Sequence, residues 1–202
     1  MSRRGSARGA VVAVFSVALL WAATCHGRDG TVLEEFDMAP CGGVITVPVM
    51  CSGEMFEFVL DTGASGSLVD RSLARLLGEP VGRTYAQTPT GVEAVELYLP
   101  LQASVGEIAL PADEPVACLD LSRFEHMTGR SIKGIIGMSF MRRHALQLDF
   151  DDRTVRILDS PLPLDGEYGH ELELGLQPQG SPELVGSIVD TVEWTFVLDT
   201  GC

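Results

Sequence analysis

The chain has 202 residues, of which 46% are hydrophobic and 21% charged, so a packed globular core is expected rather than disorder. This length allows one domain of ordinary size, or one domain and a fragment. The formal net charge of -14 excludes nucleic acid as a favoured partner, because an acidic protein repels the phosphate backbone.

The N-terminus has the pattern of a secretory signal peptide. Three arginines in the first eight residues precede an uncharged run over residues 9–24, which is too short to span a membrane comfortably, and small residues follow it. We expect residues 1–27 to be removed on export, which makes the protein periplasmic or extracellular. Two alternatives keep it attached to a membrane: a signal that stays uncleaved, or a lipid on Cys25.

An exported chain can keep disulfides. If Cys25 leaves with the signal, four cysteines remain, and four cysteines allow three pairings, between which the sequence does not choose. These four are Cys41, Cys51, Cys118 and Cys202. No Cys-x-x-Cys pair exists, so neither a redox motif nor a zinc ribbon is indicated.

From residue 44 onwards the pattern indicates β-structure, after an N-terminal linker over residues 28–43. Residues 44–49, "VITVPV", alternate in the way that predicts a strand, and Ser52-Gly53 is a turn pair. Residues 55–60 are apolar enough for a buried second strand. The predicted hairpin therefore delivers the chain to Asp61.

A short amphipathic helix is predicted after Asp70. The carboxylate of Asp70 can cap its N-terminus, and Gly78 can end it. Leu73, Leu76 and Leu77 share one face of this helix, which predicts that it packs on the core through them.

Strands and turns alternate through the rest of the first half. Residues 83–111 predict two or three strands with turns at 88–91 and 105–107. Residues 120–129 predict a short helix or loop, and residues 132–141 begin as a buried strand.

A hairpin over residues 145–158 closes this region, with Leu146, Leu148 and Phe150 on one face of its first strand. Two prolines, two glycines and three acids then make residues 159–169 a predicted linker.

The sequence repeats itself beyond that linker. The letters "FVLDTG" occupy residues 58–63 and again residues 196–201, and the shift that superposes them places Met50 on Ile188. A six-residue identity behind a matched strand pattern is not expected by chance, so an internal structural repeat is predicted.

The aspartate at the end of the buried run "FVL" has a chemical consequence. A lone buried carboxylate is costly, so Asp61 must either take up a proton or find a partner. Thr62 offers a hydroxyl that can bind neighbouring backbone, and Gly63 permits a sharp turn and a close approach. Ala64 and Ser65 are small, which keeps the carboxylate accessible.

These residues carry a resemblance to a known family. "FVLDTGAS", residues 58–65, resembles the active-site motif of aspartic proteases, and residues 44–158 as a whole resemble the retropepsin-like single-lobe family. The letters "IIG", Ile135, Ile136 and Gly137, resemble the apolar-apolar-glycine signature that crosses behind the catalytic loop in that family.

Two further segments are similar to the same family. Residues 137–158 resemble the short helix and closing hairpin that follow the signature in exported bacterial relatives. Residues 84–95 lie where the family carries its flap, whose tip would be Thr88, Pro89, Thr90 and Gly91.

The resemblance implies a mostly β fold: a closed retropepsin-like lobe over residues 44–158 with one or two short helices. Residues 170–202 would then begin a second, truncated repeat. It also implies an aspartic endopeptidase in which Asp61 is catalytic, residues 62–65 shape and follow its loop, and Asp199 is the candidate second carboxylate. The substrate would be an extended peptide or protein bound beneath the flap. No cofactor or metal is implied, because a water is the nucleophile.

The family's mechanism needs two facing aspartates. Two ionised carboxylates about 3 Å apart would repel by roughly 5–6 kcal/mol at an effective dielectric near 20, so the pair holds one proton. A mildly acidic optimum follows. The partner of Asp61 is either Asp199 or the Asp61 of a second copy in a homodimer. Because the sequence stops at Cys202, we expect Asp199 to lie on a fraying terminus, in the front part of a two-lobed protein cut short.

A reading from another class stays open: a protease-like module that binds peptides or a partner protein without cutting, or an inactive fragment of a two-lobed protease. Pairing of carboxylates separates the enzyme from the binding module, since an enzyme needs a second carboxylate and a binding module does not.

Other enzyme classes lack motifs. The four histidines show no metal-ligand spacing, "GASGS" lacks the glycine of a serine-hydrolase elbow, and no phosphate-binding glycine loop occurs.

Overall fold

The computed structural model describes residues 30–38, 43–88, 91–161, 171–189 and 192–201. These residues are mostly β, as predicted, with two α-helices and one 3-10 helix. The strands are β1 Val32–Asp37, β2 Ile45–Cys51, β3 Glu54–Leu60, β4 Leu68–Asp70, β5 Gly82–Thr88, β6 Gly91–Tyr98, β7 Ala103–Val105, β8 Ile108–Ala109, β9 Val116–Leu119, β10 Ile132–Ile136, β11 Ala145–Asp149, β12 Thr154–Leu158, β13 Gly175–Leu176, β14 Pro182–Val189 and β15 Val192–Val197. The helices are the 3-10 helix Arg71–Leu76, α1 Ser122–Thr128 and α2 Met138–Met141.

Three sheets organise the described residues. The largest has nine strands in the order β5-β6-β9-β4-β10-β3-β2-β7-β8. A second sheet has the order β1-β12-β11, and a third has the order β13-β14-β15. The last sheet is built from the predicted repeat, in which β14 and β15 form an antiparallel hairpin like that of β2 and β3.

The hairpin of β2 and β3 leads to the candidate site. Ser52 and Gly53 both have positive φ, at 51° and 86°, which is the turn geometry whose twist matches two antiparallel strands. Strand β3 is an inner strand between β2 and a parallel β10, and apolar clusters cover both faces of its end, which explains the unbroken apolar run. Phe58, Val59 and Leu60 are each at most 1% exposed.

Apolar clusters lie on both faces of the large sheet. On one face Phe58, Leu60 and Ile136 pack with α2 and with the sheet of β11 and β12. On the other face Val59 and Ile135 belong to a smaller cluster that Phe124 of α1 covers. Successive residues of β3 point to opposite faces, which is why neighbours in sequence enter different clusters.

Asp70 caps the first helical segment, as predicted, although that segment is a 3-10 helix. Its Oδ1 accepts hydrogen bonds from the backbone N of Ser72 at 2.9 Å and from its hydroxyl at 2.5 Å. Its Oδ2 accepts from the N of Leu121 at 2.8 Å, which ties the start of α1 to the same point. Burial alone would raise the pKa of Asp70, but these hydrogen bonds outweigh it and lower the pKa.

Two predicted features of the lobe are wrong. The stretch 28–43, predicted as a linker, contributes β1, which pairs with β12 and packs Phe36 on the core. Its pairing partner lies more than a hundred residues away, so local pattern did not reveal it. Phe150 does not share the buried face of Leu146 and Leu148, because β11 ends at Asp149 and Phe150 lies in the following turn, 55% exposed.

Strands β5 and β6 form the hairpin in which the flap was predicted, and the second predicted turn is present. Strands β5 and β6 pair through Thr88 and Gly91, and the hydroxyl of Thr88 donates to the carbonyl of Gly91 at 3.0 Å. Val105 and Ile108 pair across the second predicted turn. The tip residues Pro89 and Thr90 lie outside the described residues, so the role of this hairpin as a flap stays a prediction.

Several predictions fall on residues that the structure does not describe: the signal over 1–27 with Cys25, most of the linker 159–169, Cys41 and Cys202. Cys51 and Cys118 are described, and both are buried free thiols. Burial raises the pKa of Cys51 to about 11. Within the described ranges, no helix is both long and apolar enough to cross a membrane.

Candidate active site

The first Asp-Thr-Gly loop, residues 61–63, begins where β3 leaves the core. The backbone N of Asp61 still donates to the carbonyl of Ile136 at 3.0 Å, so β10 holds the start of the loop. Oδ1 of Asp61 accepts from the N of Gly63 at 2.7 Å and from the N of Ala64 at 3.1 Å. The carboxylate is therefore oriented by the backbone of its own loop.

The chain crosses behind this loop at Gly137, as predicted for Ile135, Ile136 and Gly137. After β10, the N of Met138 donates to the carbonyl of Ala64 at 2.8 Å, and the N of Ser139 donates to that of Ser65 at 3.0 Å. A Cβ on Gly137 would lie 2.7 Å from the Ala64 carbonyl oxygen. Only glycine lets two backbone segments approach this closely.

The second Asp-Thr-Gly loop, residues 199–201, follows β15 in the same way. The N of Gly201 donates to Oδ1 of Asp199 at 2.9 Å, as that of Gly63 does to Asp61. The structure aligns the two repeats differently at one position from the constant shift that superposes their sequences. The pairing of β14 with β15 is irregular between Ser187 and Val189, so Ile188 is an extra residue and does not match Met50.

The two loops lie face to face and are joined by their threonines. The N of Thr62 donates to Oγ1 of Thr200 at 3.1 Å, and the N of Thr200 donates to Oγ1 of Thr62 at 3.1 Å. Each hydroxyl then donates across to the other repeat, that of Thr62 to the carbonyl of Leu198 at 2.5 Å and that of Thr200 to the carbonyl of Leu60 at 2.7 Å. The exchange is reciprocal, as expected of a local two-fold relation between repeats.

The glycines make room for the facing carboxylates. A Cβ on Gly63 would lie 2.9 Å from Cγ of Asp199, and a Cβ on Gly201 would lie 2.6 Å from both oxygens of Asp61. The expectation that Asp199 lies on a fraying terminus is therefore wrong. The threonine hydrogen bonds hold its loop, and the partly buried Leu198 before it packs on the core of the first lobe.

The environment of Asp61 favours its protonated form. Burial is the main cause that raises its pKa, and the negative charge of Asp199 and a hydrogen bond between the two carboxyl groups add to this. The N–H groups of Gly63 and Ala64 act in the opposite direction, because they stabilise the ionised carboxylate. The pKa of Asp61 remains raised on balance.

This raised pKa predicts that Asp61→Asn stabilises the protein near neutral pH. Between the ordinary pKa of 3.8 and the raised value, the folded state binds more protons than the unfolded state, so the free energy of unfolding falls as pH rises through that window. The amide keeps the hydrogen-bond acceptor and removes the charge. Calorimetry should therefore show a higher Tm for the variant at neutral pH, and no gain below the ordinary pKa.

Asp151→Asn is the matched control, because Asp151 is exposed in the turn after β11. Its Tm should follow the wild type at both pH values. A Tm of Asp61→Asn below that of the wild type at neutral pH would contradict a raised pKa at this position.

Ser181 also belongs to the site, although the sequence analysis did not select it. It is 3% exposed, and its hydroxyl donates to the carbonyl of Gly63 at 3.2 Å. Its position within the predicted second repeat is the signal that the sequence offers. Among the described residues, no group of three or more His, Cys, Asp or Glu side chains could hold a metal ion.

One comparison with known proteins found a similarity to a protein family over part of the chain. The model of a family described as aspartyl protease matches residues 47–140. The match includes the first Asp-Thr-Gly loop and the crossing at Gly137, and it ends before the second loop. No curated protein matches the chain.

Proposed function

We propose that this protein is an aspartic endopeptidase whose catalytic pair is Asp61 and Asp199 of one chain. The match of residues 47–140 to the aspartyl protease family model supports the proposal. The observation that carries the proposal is the reciprocal bonding of Thr62 and Thr200, because it brings the two carboxyl groups into hydrogen-bond contact. A homodimer built on two copies of Asp61 would have to displace this contact, since the N–H of Thr62 is already used.

The chemistry follows from sharing one proton between two carboxyl groups. The raised pKa of Asp61 supports Asp61 as the group that holds the proton in mildly acidic solution, and Asp199 then carries the charge. Asp199 takes a proton from a water, whose oxygen forms a bond to the carbon of the scissile carbonyl. Asp61 donates its proton to the carbonyl oxygen, so that no full negative charge develops there.

The second half of the reaction breaks the peptide bond and restores the proton of Asp61 and the charge of Asp199. The tetrahedral intermediate loses the proton of one hydroxyl to Asp61, the carbon–nitrogen bond breaks, and the amine leaves with a proton from Asp199. The products are a carboxylic acid and an amine, and the pair is restored to its singly protonated form. No cofactor takes part in these steps.

The substrate we propose is an extended peptide. The β5–β6 hairpin supports this, since Tyr85 and Val92 project from it with exposed fractions of 77% and 69%. Apolar side chains at this exposure are available to contact a bound chain.

The test is the rate of cleavage of a quenched fluorescent peptide library as a function of enzyme concentration, at mildly acidic pH. A catalytic pair within one chain predicts a rate proportional to the first power of concentration, and its loss in Asp61→Asn but not in Asp151→Asn. A rate that rises with the square of concentration would assign the activity to a homodimer. No cleavage sensitive to Asp61→Asn would leave a peptide-binding module as the function.

A further inference from the structure

Ser181 connects the two Asp-Thr-Gly loops outside the motif itself. Its hydroxyl donates to the carbonyl of Gly63 in the first loop. The next residue, Pro182, accepts a hydrogen bond from the N of Leu198 at 2.9 Å, directly before the second loop. A movement of residues 181–182 would therefore displace both loops.

The carbonyl that Ser181 binds belongs to the peptide plane that supports Asp61. In a trans peptide the carbonyl of Gly63 and the N–H of Ala64 point in opposite directions within one rigid plane. That N–H is shared between two acceptors of Asp61, its Oδ1 at 3.1 Å and its backbone oxygen at 3.2 Å. A small rotation of the plane therefore changes the strength of the hydrogen bond from the Ala64 N–H to the Asp61 carboxylate.

We propose that Ser181 is a positioning residue for catalysis, which holds the Gly63–Ala64 peptide plane so that the Ala64 N–H remains directed at the carboxylate of Asp61. The inference rests on the proposed function. Ser181 is suited to this role because it is almost fully buried, so water cannot readily replace its hydroxyl. It does not touch the reacting atoms and acts only through the loop.

Removal of the hydroxyl has a defined electrostatic result. If the plane rotates, the carboxylate loses part of an N–H that stabilises its charged form, and the pKa of Asp61 rises further. Asp199 is the titratable group that faces Asp61. The other elements against the loop present Ile136, Gly137 and Thr200, which do not titrate. Since Asp61 is proposed to act in its protonated form, the alkaline limb of activity moves to higher pH.

The experiment measures kcat and KM against pH for the full chain and for Ser181→Ala. We expect the alkaline limb of kcat/KM to move to higher pH and kcat to fall about tenfold, the change that corresponds to one ordinary hydrogen bond, with KM unchanged. Ser181→Thr, which keeps a hydroxyl, should restore both. Ser187→Ala, an exposed serine of the following strand, is the matched control and should leave the profile unchanged.

A profile of Ser181→Ala that superposes on the wild type would overturn the inference. Titration of the Asp61 carboxyl carbon by NMR in the same variants measures the pKa of Asp61 without any cleavage, so it tests the positioning role independently of the proposed function. If the wild type cleaves nothing, the proposed function fails, and the NMR titration still supports or overturns the positioning role. An unchanged Asp61 titration in Ser181→Ala is the result that rejects it.

Discussion

Asp199→Asn is expected to lower kcat/KM for peptide cleavage about 10³-fold, because general acid–base catalysis by one positioned group contributes on that order. The loss should equal that of Asp61→Asn. In the proposed mechanism the two carboxyl groups share one proton, and the hydrogen bonds between Thr62 and Thr200 keep them in contact, so each group depends on the other. The measurement is steady-state cleavage of one peptide by wild type and both variants.

The double variant Asp61→Asn with Asp199→Asn distinguishes a pair from two independent residues. If the carboxyl groups act as one unit, the double variant loses no more activity than either single variant. If Asp199→Asn instead keeps activity within tenfold of wild type while Asp61→Asn is inactive, the second carboxylate does not come from Asp199.

The first half of this site could be predicted from sequence because its determinants are local. An apolar run ends at Asp61 and a turn follows, which places a carboxylate at the edge of a core whatever the rest of the fold does. The crossing at Gly137 was predicted in another way, from the resemblance of "IIG" to the family's apolar-apolar-glycine signature. The structure shows that crossing at Gly137.

The second half depended on contacts that no local pattern encodes. The hydrogen bonds between Thr62 and Thr200 join residues 138 positions apart, and the strand β1 pairs with a segment at the far end of the lobe. The extra residue Ile188 shifts the register of β14, and a sequence shift without gaps cannot represent this. Ser181 shows the same limit, since its role arises only from the loop that it meets.

The second hairpin differs from the first in burial, although its residues are similar. Val59 of β3 is 0% exposed, whereas its equivalent Val197 in β15 is 43% exposed. Apolar burial therefore holds this hairpin less firmly than it holds β3. The position of Asp199 depends to a larger degree on the polar contacts between the loops, so a small steric change at that contact should have a large effect.

Gly201→Ala is accordingly expected to lower kcat/KM about 10²-fold, the loss that a misplacement of about 1 Å can produce. The new Cβ would lie 2.6 Å from both oxygens of Asp61, and that carboxylate cannot turn aside without leaving the N–H groups of Gly63 and Ala64. Either Asp61 moves or the second loop withdraws, and both outcomes separate the pair. Cleavage kinetics of the variant measure the loss.

Gly186→Ala in β14 is the matched control for Gly201→Ala, because its Cβ would lie 3.5 Å from the ring of Phe196, an ordinary van der Waals distance. It adds the same methyl group to the second repeat and should keep activity within about twofold of wild type, as expected when no atom must move. Gly63→Ala gives the reciprocal test. Its Cβ would lie 2.9 Å from Cγ of Asp199, which is a smaller steric overlap than that of Gly201→Ala. If Gly201→Ala cleaves as fast as Gly186→Ala, the second loop is not seated on Asp61 in the active enzyme, and the second carboxylate must be sought in another copy of the chain.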